Sequence, residues 1–155
     1  MAEMQATRGV NAPWASSMGR LFDAAAAVLG LRLKAEFEGQ AAMELESLAG
    51  RRVASEIRVG LERTNGGAWV IDPLHLLAVI GSRRQRGDDL ADLAADFHAS
   101  VAWAAAEVVR RLADETGIRT VTLGGGSFQN ASNAKAVSAR TKSAGDLMAL
   151  VHTGL

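Results

Sequence analysis

The sequence predicts a helix-rich α/β lobe with a small mixed sheet and a β-hairpin. Three observations predict it. Apolar residues recur at three- and four-residue spacing in several segments, most clearly from Leu90 to Leu112. Ile57, Val59 and Leu61 alternate with polar residues ahead of Asn65-Gly66-Gly67, which is a hairpin turn signal. Ile118 to Leu123 is a β-like run that ends in three glycines. A length of 155 residues suits one domain, and a 48% share of hydrophobic residues supplies a core.

Residues 1–14 read as an irregular lead-in and 15–155 as the lobe itself. Ser16 and Ser17 are good N-cap residues. The helix they open sets Met18, Leu21, Phe22, Ala25, Val28 and Leu29 on one face, and Gly30 fits its C-terminal cap. Leu31 to Glu36 alternates like a short strand, and Glu38-Gly39-Gln40 reads as a turn. A second helix is expected from about Gln40 to Arg52, with Ala41, Leu45, Leu48 and Ala49 inward. After the hairpin turn, Ala68 to Ile71 returns as a strand. Asp72-Pro73 opens a helix that should stop at Gly81. Ser82 to Asp89, with Arg83-Arg84-Gln85-Arg86, reads as a charged and solvated connector.

Leu90, Ala94, Phe97, Val101, Ala104, Val108 and Leu112 then form the stripe of a long helix that Gly117 ends. The strand Ile118–Leu123 follows. A final helix, about Asn130 to Ser143, has only Ala131, Ala134 and Val137 to bury, and Leu147 to His152 reads as a last strand. There is no internal repeat.

Composition excludes several function classes. The 17 basic and 17 acidic residues cancel, which argues against a nucleic-acid partner. With no cysteine, disulfides, thiolate zinc sites, iron–sulfur clusters and cysteine nucleophiles are out. No apolar run reaches membrane length and the first ten residues hold no signal core, so a cytoplasmic setting is expected. His75, His98 and His152 offer no i, i+4 metal pair, and His98, flanking the long stripe, reads as a packed structural residue.

Three stretches carry possible binding chemistry. In L-G-G-G-S-F-Q-N, 123–130, a strand meets glycines and a helix start, a geometry that aims backbone N–H groups at an anion. Neither a Walker loop nor a dinucleotide fingerprint is present, and a tight packing turn is the alternative. In S-S-M-G-R-L-F-D, 16–23, the Asp23 carboxylate lies one turn from Gly19 and could accept hydrogen bonds from sugar hydroxyls, as acidic residues do for ribose. A simple Arg20–Asp23 pair is the alternative. In F-E-G-Q-A, 37–41, Gly39 allows close backbone approach to a ligand or makes a plain turn.

Taken in order, N-A-P-W-A-S-S-M-G-R-L-F-D, F-E-G-Q-A-A-M-E-L-E, I-D-P-L, D-F-H-A-S-V-A and L-G-G-G-S-F-Q-N closely resemble the hydrogenase-maturation carbamoyltransferases, the HypF family. The likeness runs from Asn11 to Asn130. It implies part of the C-terminal carbamoyltransferase region, one lobe of an actin-like ATPase fold. It implies ATP or a carbamoyl adenylate as cofactor, with Asp23 at the ribose, Gly39 against the nucleotide, Gly125 and Gly126 on the phosphate side, and Asn130 in a polar contact. It also implies, as partners, the remaining carbamoyltransferase domains and a hydrogenase-maturation protein whose cysteine accepts the carbamoyl group.

The family's metal ligands lie in segments this chain lacks, so no metal and no standalone catalysis are expected. Gly124 stands where the family has serine, Ser127 where it has an apolar residue, and Ser132 and Asn133 take apolar positions. Two alternatives follow from these departures: a non-catalytic remnant that keeps the fold, or a lobe of an antibiotic O-carbamoyltransferase. Surface that would face a partner lobe makes self-association an expectation.

Overall fold

The computed structural model describes residues 17–124, 131–143 and 148–152. Helix α1, Met18–Leu29, starts where Ser17 Oγ accepts the Arg20 N–H and ends at Gly30 in the left-handed region, as its sequence predicts. Its apolar face buries Phe22, Ala25, Ala26 and Leu29.

Residues 31–39 form bends and a turn, not the expected strand. Among the described residues no strand pairs with them, and Leu33 is 90% exposed. Polar anchors hold the segment instead. The Glu36 N–H donates to Gln40 Oε1 at 2.7 Å, and Arg32 donates to both Glu44 oxygens at 2.9 Å. Helix α2, Gln40–Ala49, ends short of Arg52 because Gly50 turns the chain with φ 55° and ψ −127°.

The hairpin turn and the returning strand form as expected, but the first strand starts late, and Ile57 and Val59 lie outside it. Strand β1, Gly60–Arg63, runs antiparallel to β2, Trp69–Asp72, with Leu61 opposite Ile71. Asp72 then accepts the Leu74 N–H at 2.9 Å and so caps helix α3, Leu74–Gln85. This helix does not stop at Gly81. A Cβ there would sit 3.4 Å from Val28 Cγ1, so the bare residue marks the close approach of α3 to α1. Much of the expected connector is therefore helical. Nor is Arg83 simply solvated: it donates to Asp88 at 2.7 Å and to Asp96 at 2.6 Å. Arg84 reaches the Val28 carbonyl at 2.9 Å.

Helix α4, Leu90–Thr116, is the spine. Asp89 caps it by accepting the Ala91 and Asp92 N–H groups, and Gly117 closes it in the left-handed region. Its first half is buried on all sides, more than a single stripe predicts. Leu93, Ala94 and Phe97 join the main core with α1, α2 and α3, while Ala102 faces a second cluster with Leu123 and Val137. Leu90 and Leu112, the two ends of the stripe, are more exposed because the helix outruns the layers packed on it.

Strand β3, Thr120–Gly124, pairs in parallel with β4, Met148–His152, and helix α5, Ala131–Ser143, lies between them in sequence. The described strands thus make two separate ladders, one antiparallel and one parallel. Helix α5 still buries Val137 and Thr141 despite its weak amphipathicity. Among the described residues, no helix is long and apolar enough to cross a membrane.

The core centres on Phe22 and Phe97, packed edge to face with ring centroids 5.1 Å apart. His98 lies 5.5 Å from the Phe22 ring, and its Nδ1–H donates to the Ala94 carbonyl at 2.8 Å. Burial is the main cause that holds its pKa below the ordinary histidine value. It is the packed structural histidine its sequence position suggests.

One polar cluster interrupts this core. Asp96 is 3% exposed. One carboxylate oxygen takes the Arg83 guanidinium and the other accepts the Ser55 N–H at 2.5 Å. One turn on, Ser100 Oγ accepts the Ile57 N–H at 2.8 Å and donates to the Asp96 carbonyl at 2.6 Å. Residues 52–59 pair with no strand, so these two side chains supply the backbone partners a sheet would supply.

Two stability predictions follow from these groups. Asp96→Ala removes the acceptor of the Ser55 N–H and one of the two carboxylates on Arg83, which keeps Asp88, and should cost about 2–3 kcal/mol, read as a lowered urea midpoint. Glu107 is held down to about 2, first by its hydrogen bond from Arg110 and then by Arg111. Its folded value lies below its unfolded one. Its stabilisation is therefore complete above the ordinary carboxylate range, near pH 4.5, and disappears as the pH falls toward 2. Glu107→Gln should lower the melting temperature at pH 7 and flatten its fall between those pH values.

Candidate functional site

A cleft of about 520 Å³ opens beside the first turns of α1. Ser17, Gly19, Arg20 and Asp23 line one wall. The opposite wall is the loop from Ala35 to Gly39, with Ala42 of α2 behind it. Two candidate residues far apart in sequence, Asp23 and Gly39, thus share one cavity.

Each wall is built by local sequence. Ser17 stops the chain in an extended conformation and begins the helix, which fixes where Gly19 and Asp23 emerge. Among the described residues, nothing lies within 4 Å of a would-be Cβ on Gly19, so the helix surface there leaves room for a ligand. Gly39 sits at φ 80° and ψ −1° at the start of α2, and a would-be Cβ there likewise meets none of the described residues within 4 Å. Its backbone conformation selects glycine, and the missing side chain leaves its face free.

Asp23 is partly exposed, and Arg20 donates to its Oδ2 at 2.8 Å. The ion pair offered by the sequence as an alternative is therefore real, and it stands inside the cleft. An exposed i, i+3 pair of this kind is worth only about 0.5 kcal/mol, so it gives way readily to a competing hydrogen-bonded ligand.

The loop wall rests on groups the motif reading did not single out. Gln40 is buried, and its amide links the Glu36 N–H to Glu44 Oε1, at 2.7 and 3.2 Å. Glu44 in turn grips Arg32, Oε1 to Nη2, at 2.7 Å. Their hydrogen bond is the first cause that lowers the Glu44 pKa and raises that of Arg32. The sequence signal was available: Gln40 and Glu44 lie at i, i+4 on one helix face. A smaller cavity of about 130 Å³ adjoins the cleft, reached by Arg20, Asp23, Arg32 and Lys34.

Gly125, Gly126 and Asn130 lie outside the described residues; β3 ends at Gly124 and α5 begins at Ala131. Among the described residues, no group of three or more acidic or histidine side chains could hold a metal ion.

Residues 1–153 match the family model described as the second subdomain of the Kae1-like carbamoyltransferase domain. The chain belongs to the HypF carbamoyltransferase family. It is 43% identical over 131 residues to carbamoyltransferase HypF of Rhodobacter capsulatus, covering 84% of this chain and 16% of that protein. The HypF of Rhizobium leguminosarum bv. viciae is 42% identical over 120 residues, covering 76% and 15%.

Solved structures agree. A full-length HypF crystallised in its phosphate- and nucleotide-bound form superposes with a TM-score of 0.88 at 34% identity, over 96% of this chain and 19% of that one. The HypF of T. kodakarensis gives 0.83 at 29% identity, over 97% and 19%. The chain thus spans less than a fifth of the length of each of these relatives.

Gly39→Ala adds a Cβ that meets no neighbour but sits at positive φ. It should cost about 1–2 kcal/mol in a urea titration, whereas Gly19→Ala, inside a helix and in open space, should be neutral or slightly stabilising.

Proposed function

We propose that this chain supplies the nucleotide-holding lobe of a HypF-type carbamoyltransferase, taking ATP or a carbamoyl adenylate in the α1 cleft. The observation that carries this is the meeting of Asp23, Gly19 and Gly39 around one cavity in a fold so close to a HypF described as nucleotide-bound.

The residues present fit such a ligand. A carboxylate with one oxygen held by Arg20 can accept the two vicinal hydroxyls of a ribose once that arginine turns aside. The bare faces of Gly19 and Gly39 leave room that a Cβ would fill. When bound, the nucleotide supplies a good leaving group for carbamoyl transfer; the chain's own part is to hold and orient the ribose. The phosphates are assigned to Gly125 and Gly126, with Asn130 contributing a polar contact. The acceptor is the cysteine of a hydrogenase-maturation partner protein, and the remaining carbamoyltransferase domains complete the reaction.

Isothermal titration of the purified chain with ATP and ADP plus magnesium tests this. Saturable binding is expected, and Asp23→Ala should weaken it about 10- to 100-fold, since it removes hydrogen bonds to a charged acceptor. A folded chain that shows no saturable binding would falsify the nucleotide assignment and favour a scaffold that keeps the fold without the ligand.

A further inference from the structure

Granting the nucleotide reading of the α1 cleft, on which this rests, we propose that Phe37 is the platform on which the ligand's base stacks.

The cleft walls are otherwise small or charged. Ser17, Gly19 and Ala42 offer little surface, and Arg20, Asp23 and Glu36 are ionic. Phe37 alone among the described lining residues presents a large flat apolar face, and it is 53% exposed. The other described phenylalanines are hidden: Phe22 and Phe97 are 2% and 0% exposed. A phenylalanine left half in water forgoes hydrophobic stabilisation that burial would give, so its position calls for an explanation.

The backbone that carries it is held on either side. Before it, the Glu36 N–H is held by the buried Gln40 amide at 2.7 Å. Its own carbonyl accepts the Gln40 backbone N–H at 3.4 Å. After it, Gly39 makes the left-handed turn into α2. The Gln40 amide is anchored further by Glu44 and Arg32. The backbone that carries the ring is thus tied to a buried amide, so less of the loop has to be ordered when a ligand binds.

The placement also suits a nucleoside. Asp23 comes from the α1 wall and Phe37 from the loop wall. A ribose between them would offer its hydroxyls to one wall and its base to the other. Stacking on an aromatic ring tolerates any base, so Phe37 contributes affinity and leaves base choice to other groups.

The test titrates ATP and GTP into the full chain and three variants. Phe37→Leu keeps apolar bulk but removes the flat π face; it should weaken both nucleotides about 5- to 100-fold with no change in melting temperature. Phe37→Trp should bind as tightly as the parent or more so. Asp23→Ala serves as the control for the cleft itself. If Asp23→Ala weakens ATP while Phe37→Leu stays within twofold of the parent, the platform is refuted and the cleft assignment survives. If Phe37→Trp binds no better than Phe37→Leu, stacking is refuted as well. A parent chain that binds neither nucleotide overturns both ideas together.

Discussion

A buried carboxylate organises this lobe. Asp96 sits in the buried first half of α4, where an unpaired charge would be prohibitive. It is tolerated because Arg83 of α3 and the backbone of Ser55 converge on it. Three elements must therefore arrive together: α3, α4 and the segment that leads into the hairpin. With Ser100 one turn on, the same site fixes where residues 52–59 run. That path sets the start of β1, and through β2 and the Asp72 cap it sets the start of α3. Arg83 thus closes a loop of dependencies that begins and ends on one side chain.

The cleft follows a different logic. Its α1 wall is a helix surface held by the main core. Its opposite wall is a loop with no strand or helix of its own, kept in shape by a chain of polar contacts from Arg32 through Glu44 and Gln40 to the Glu36 amide. The first wall resists change because Phe22 and Leu29 are packed beneath it. The second depends on hydrogen bonds near water, which open more easily than a core repacks. Differences between relatives in what this cleft holds would therefore be expected on the loop side, where Phe37 and Glu38 are exposed and can be exchanged without disturbing the interior.

How much could be read in advance depended on range. Caps are local, and Ser17, Gly30 and Gly117 mark helix ends as their residue types require, whereas Asp89, read as part of a connector, caps α4 as well. The hairpin was equally plain. Gly81 misled because its reason is another helix: it serves contact with Val28, and no local pattern announces that. Leu31 to Glu36 alternates like a strand, yet a strand needs a neighbour, and the nearest partners were side chains of α2. Asp96 and Ser100 disappeared inside an apolar stripe because burial of a polar group is decided by what meets it. Of the candidate residues, Asp23 and Gly39 were marked by motif order; their shared cavity required the fold. Phe37 was quoted within a motif but carried no signal of its exposure.

Helix α4 has a further consequence. It lends Leu93, Ala94 and Phe97 to one hydrophobic cluster and Ala102 to another, within a single uninterrupted helix. Two cores that share a rod cannot melt separately unless the rod breaks, and the middle of α4 has neither glycine nor proline to break it. The β3–α5–β4 unit is small, and through the contact of Leu123 and Val137 with Ala102 it is fastened to the larger body. Amide hydrogens along the buried half of α4 should then exchange only when the whole lobe opens. The thinnest part of the protein borrows the cooperativity of its thickest.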